Sequence, residues 1–155
     1  VGHLSCIVKY AETKNENWDG HDPNKFSEPW KVCPNCRQDY HNELAVDLSA
    51  KFVTSVEGKY PDDQLKQLEA LRVKLEALLR MALETKHKEE AKEIASRILS
   101  MLGVMKTSNP SLLGRFLQTE AVVYNDLGHI ALDEGTKESA KSAVEYFEKS
   151  RDISK

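Results

Sequence analysis

Cysteine is scarce in this chain: there are three in 155 residues, an odd number that cannot pair off completely into disulfides. All three lie close together near the N-terminus, a pattern that suits a reducing compartment, the cytosol or the nucleus, better than a disulfide-stapled secreted domain. Long apolar runs are also lacking. No stretch approaches the roughly 20 apolar residues needed to span a bilayer, and none reads as a signal peptide, so no membrane association is expected. Neither sign of charge dominates: the net charge is -3, the isoelectric point is near 6.0, and Lys and Arg are interspersed with Asp and Glu. With no basic field to hold a polyanion, nucleic-acid binding is not expected. A Gly-rich phosphate loop, a His-Glu-x2-His helix and a nucleophile elbow are all absent. The acidic pairs Asp62–Asp63 and Glu89–Glu90 fall where helix starts attract negative charge, which accounts for them without catalysis. No catalytic residue is assigned, and whether the chain belongs to an enzyme stays open.

The scarce cysteines are themselves patterned. His3-x2-Cys6 and Cys33-x2-Cys36 are two close pairs of the side chains zinc prefers. Two intervening residues let both side chains of a pair reach one ion at about 2.0 to 2.3 Å. These four residues are the candidate metal ligands and Zn2+ the candidate cofactor. A redox role for Cys33 and Cys36 would need a βαβ context, whereas the sequence downstream is helical; two unrelated thiols remain the plain alternative. His21, His41 and His87 read as surface residues. Residues 13–29, rich in Asn, Asp, Lys and Pro, read as a solvated loop.

After Tyr40 apolar residues recur at helical spacing, and the 40% hydrophobic content is enough to bury a core. Leu44, Leu48, Phe52, Val53 and Val56 mark a helix over 43–60; Leu65, Leu68, Leu71, Leu75, Leu78 and Leu79 mark one over 65–82. Asp62 or Asp63 is placed to cap the second. A third helix is predicted over 88–105, a fourth over 112–133 after an Asn109 cap and Pro110, and a fifth after Gly135 with Thr136 as its cap. Short turns between such helices favour antiparallel hairpins. The predicted fold is mostly α, with a small partial zinc finger at 1–40 and helical hairpins over 41–155.

Gly2-His3-Leu-Ser-Cys6, followed later by Trp30-Lys-Val-Cys33-Pro34-Asn-Cys36-Arg37, resembles the second half of a RING-CH-type zinc finger, in which ligand pairs run Cys-x2-Cys, Cys-x-Cys, His-x2-Cys, Cys-x2-Cys and cross-brace two metal sites. The upstream pairs are not in this sequence, and it begins at Val1, so a longer parent protein is expected. With each site half built, zinc is expected to be absent from this chain or only partly loaded. The resemblance implies that a ligase parent would dock an E2 conjugating enzyme through Tyr10 and Pro34 and contact ubiquitin through Arg37. Further on, Tyr124-x2-Leu127-Gly128-x2-Ala131 with Ala143 and Phe147 resembles a tetratricopeptide (TPR) repeat, and Leu71 to Leu102 carries a fainter likeness. A glycine at 128 would let the second helix approach closely, while the turn over 134–142 reads as longer than the repeat's own. This resemblance implies a right-handed stack whose groove displays Asn125 and His129 to a peptide. A plain bundle or a coiled coil built on the leucine stripe is the competing reading.

The function expected is a scaffold or adaptor that binds other proteins or peptides through TPR-like hairpins joined to a partial zinc finger. The alternative is the substrate-recognition part of a RING-type E3 ubiquitin ligase, with an E2 as further partner; a structural helical protein is third.

Overall fold

The computed structural model describes residues 3–81 and 85–154, without the side chains of His3 and Thr85. Among them are seven α-helices and no strand: α1 His3–Glu16, α2 Pro23–Lys31, α3 Asn42–Lys59, α4 Gln64–Arg80, α5 Thr85–Ser108, α6 Leu113–Glu134 and α7 Lys137–Ser154. They fall into two compact units, the first ending at Met81 and the second beginning at Ala82. The division lies at 81/82 and not at 40/41 because α1 and α2 pack on α3, and α2 also on α4.

The first unit departs most from the sequence-based expectation. Residues 13–29 are not a solvated loop: α1 runs through them to Glu16 and α2 begins at Pro23. Asp22 caps α2 by accepting the Asn24 N–H, and Pro23 takes a first-turn position where its missing N–H costs nothing. Phe26 and Trp30, four apart, then fall on one helical face and are both 1% exposed. Trp30 stacks on Phe52 of α3 at 4.8 Å between centroids and 11° between planes. Phe26 packs against Phe52 at 5.8 Å and against Tyr60 at 6.0 Å. The polar composition of the segment masks this pair. Asn15, itself buried, accepts the Trp30 indole N–H at 2.9 Å and donates to the Phe26 carbonyl, so one amide ties the end of α1 to α2. Glu12 and Glu16 of α1 reach Ser55 and Lys59 of α3.

Asp63 caps α4 as expected, accepting the Lys66 N–H. Three smaller expectations need correction. Asn109 does not cap with its side chain: Pro110–Leu112 form one 3-10 turn before α6, and the Asn109 amide points back to the Met105 carbonyl. The turn between α6 and α7 is only Gly135 and Thr136. Gly135 adopts φ +72°, a left-handed conformation that ends α6 at little cost only for glycine. Thr136 and Ser139 then cap α7 reciprocally, each hydroxyl accepting the other's backbone N–H at 2.9 Å. His87 is not a surface residue; it is 3% exposed.

The second unit is built from α5, α6 and α7. Its core is aliphatic, with Ile98, Leu102, Met105 and Val123 almost fully buried beside Phe116. The α6–α7 contact is close at Gly128, where a Cβ would sit 2.6 Å from the Phe147 ring. The absence of a side chain is therefore what admits Phe147. Ser150 of α7 donates to the Ala121 carbonyl of α6 at 2.8 Å, and Lys106 of α5 pairs with Glu120 of α6 at 2.7 Å.

Candidate functional site

The cysteine pair lies on a tight turn between α2 and α3. Val32 bridges antiparallel to Asp39, the Cys33 N–H donates to the Gln38 carbonyl, and the Tyr40 N–H donates to the Lys31 carbonyl. Inside this frame the Arg37 N–H donates back to the Cys33 carbonyl at 2.9 Å, with Arg37 at φ +63°. A non-glycine residue there costs roughly 1–2 kcal/mol, so the turn holds a local strain. The backbone N–H groups of Cys36 and then Asn35 donate to the Cys33 sulfur and hold its thiol below the usual cysteine range, with smaller help from Cys36 and the Tyr40 hydroxyl. Tyr40 shifts the other way: burial pushes its hydroxyl up, and the neighbouring Cys33 charge adds to that. Amide donors aimed at a sulfur favour its thiolate form, which is the form that attacks electrophiles and binds metals.

The other two predicted ligands are placed differently. Cys6 is an exposed residue on α1, and the side chain of His3 lies outside the described residues. Among the described residues no three His, Cys, Asp or Glu side chains gather as a metal cluster. Cys33 and Cys36 share one turn, and no third described side chain of these types joins them.

Beside the turn, an open cleft of about 580 Å3 brings Tyr10 of α1 together with Pro34 and Arg37, the three residues singled out from the sequence for E2 and ubiquitin contact. Trp18, Pro29 and Val32 complete its apolar lining, and Lys14, Lys25 and His21 stand among Asp19, Asp22 and Glu28 at its edge. Glu28 pairs with Lys25 at 3.3 Å and lies 3.8 Å from Arg37. Trp18 and Pro29 escaped the sequence reading because they sat in the presumed loop.

In the second unit, Asn125 and His129 are both exposed on α6. His129 meets the Phe147 ring edge-on at 5.2 Å between centroids, so its ring is partly fixed by α7. Asn125 lines a shallow concavity of about 600 Å3 together with Leu117, Gln118, Val122 and Ile153. Gln118, Val122, Asn125, His129 and Leu132 recur at helical spacing and are all exposed, making one stripe without a formal charge, His129 being counted neutral. The flanks of α6 are covered by α5 and α7. Gln118, Val122 and Leu132 could have been found by stepping three and four residues from Asn125 and His129.

The geometry defines a mostly α-helical protein of two units, with a thiol turn and cleft in one and an uncharged helical stripe in the other. No helix among the described residues is long and apolar enough to cross a membrane. No protein-family model, curated protein or solved structure matches the chain.

Proposed function

We propose that the chain is a protein-interaction module that receives a peptide or protein segment along α6. The carrying observation is the stripe Gln118, Val122, Asn125, His129 and Leu132, exposed on a helix whose other sides are buried by α5 and α7. Val122 and Leu132 are 50% and 53% exposed, and apolar side chains alternating with amide and imidazole groups can both desolvate a partner and bond its backbone. In this reading the helices form TPR-like hairpins, Cys33 and Cys36 are zinc ligands of a partial RING-CH-type finger, and the protein works in the cytosol or nucleus. The test is selection from a displayed peptide library, followed by titration of the selected peptide. Val122→Glu with Asn125→Ala should weaken binding at least tenfold while circular dichroism stays unchanged. Equal binding by the double variant removes α6 from the interaction.

A second reading, the substrate-recognition part of an E3 ubiquitin ligase, is favoured by the convergence of Tyr10, Pro34 and Arg37 on one cleft. An isotopically labelled chain titrated with a panel of E2 enzymes should show resonance changes confined to that cleft and reduced by Arg37→Ala. Zinc uptake by the wild-type chain, lost in Cys33→Ser, tests the metal assignment separately.

A further inference from the structure

The first unit contains a cation site that neither reading uses. Trp18, from the α1–α2 connection, Phe26 of α2 and Tyr60, which follows α3, converge on the ammonium group of Lys66 in α4. The Lys66 Nζ lies 4.3 Å from the Tyr60 ring centroid, 5.7 Å from that of Trp18 and 5.8 Å from that of Phe26. The rings brace one another: Trp18 and Phe26 are 5.1 Å apart at 55°, and Phe26 and Tyr60 are 6.0 Å apart at 71°. One carboxylate closes the arrangement, with Asp63 Oδ2 at 3.0 Å from Nζ. An ammonium group within about 6 Å of a ring face is attracted by the ring quadrupole, and several rings around one cation make the cage that recognises methylated ammonium groups.

We propose that Trp18, Phe26, Tyr60 and Asp63 form an ammonium-binding cage that Lys66 fills in cis, and that removing Lys66 opens it to a methylated ammonium ligand such as a quaternary amine or a trimethyllysine side chain. Three features carry the proposal. The rings come from three separate segments, so their convergence is not a by-product of one helix face. Phe26 is buried, which fixes one wall. Asp63 has a second task, capping α4 through its other oxygen and the Lys66 backbone N–H, and this anchors its carboxylate whatever the side chain at 66. Trp18 also lines the cleft that holds Tyr10, Pro34 and Arg37. Exchange of Lys66 for an outside ligand would therefore be felt at that cleft.

The cap uses only the backbone of residue 66, so Lys66→Ala should keep α4 and open the cage. The probe is tetramethylammonium, followed by its methyl proton resonance and by calorimetry, with tert-butanol, neutral and of nearly the same size and shape, as control. We expect Lys66→Ala to bind tetramethylammonium at least tenfold more tightly than wild type, with an upfield ring-current shift of the bound methyls. The neutral analogue should not bind, and Trp18→Leu in the Lys66→Ala background should abolish the effect. A Lys66→Ala chain with unchanged circular dichroism and no saturable shift overturns the proposal, as does equal binding of the neutral analogue. If Lys66→Ala does not fold, wild type supplies the decision: its Lys66 ε-methylene protons should resonate upfield of the other lysines and move back on Tyr60→Leu. Unshifted ε-methylene resonances overturn the cage.

Discussion

The two units are both helical, yet they are held together by different means. In the first, an aliphatic α3–α4 core that includes Leu48, Leu71 and Leu78 is extended by aromatic rings: Trp30 and Phe26 of a nine-residue helix are locked onto Phe52 and tied to α1 by the buried Asn15 amide. In the second, three helices of 18 to 24 residues pack through aliphatic side chains and a close backbone approach at Gly128. A short helix offers few positions, so each must bury a large side chain, whereas a long helix can spread the same burial over many small ones. The first kind of core should therefore be sensitive to the loss of a side chain and the second to the gain of one.

That contrast can be broken or sharpened by substitution, with residue-resolved hydrogen exchange reading each unit separately. The largest effect is expected from Trp30→Ala, which should destabilise the first unit by about 3–5 kcal/mol through the cavity left against Phe52, while protection in α5 to α7 stays the same. The reverse experiment is Gly128→Val, where added atoms meet the Phe147 ring. It should cost the second unit about 1–3 kcal/mol, and adding Phe147→Ala should remove most of the clash; a neutral Gly128→Val would mean that α6 and α7 are not in close contact at this position.

Asn15→Ala leaves the Trp30 N–H and the Phe26 carbonyl buried without their partner and should cost the first unit about 1–3 kcal/mol. Thr136→Ala removes one side of the α7 cap and should cost the second unit about 1 kcal/mol, read as faster exchange in the first turn of α7 alone. The smallest effect is a pH dependence confined to the first unit. A hydrogen bond from Ser55, followed by the bond and charge of Lys59, holds the Glu12 carboxyl below its ordinary value, with partial burial opposing. A depressed folded-state value means the α1–α3 contact contributes its full stability above the ordinary glutamate range and loses it as the pH falls through the lowered value. A Glu12→Gln chain should lack that acid-side slope.

Legibility in the sequence follows the same division. The helices α3 to α7 were readable because apolar residues recur at helical spacing over long stretches, and their ends matched within a few residues. The pair Phe26 and Trp30 is too short a signal to register as a period, and its surroundings of Asp, Asn, Lys and Pro weigh toward a loop. Of the residues singled out for a site, only their placement can be compared. Cys33 and Cys36 share a turn because two residues between them leave little choice, and Tyr10, Pro34 and Arg37 meet at one cleft. Trp18 lies far along the chain from Tyr60 and Lys66 and gave no local pattern from which their meeting could be inferred.

The uneven placement of the aromatic residues has a spectroscopic consequence. Both tryptophans of the chain, Trp18 and Trp30, belong to the first unit. Tryptophan emission followed through heating or denaturant therefore reports directly on that unit, and no tryptophan lies in α5 to α7. The second unit has its own chromophores, Tyr124 and Tyr146, stacked at 6.2 Å between centroids. Excitation selective for tryptophan, set beside helical circular dichroism, would separate the two transitions in the intact chain without cutting or labelling it.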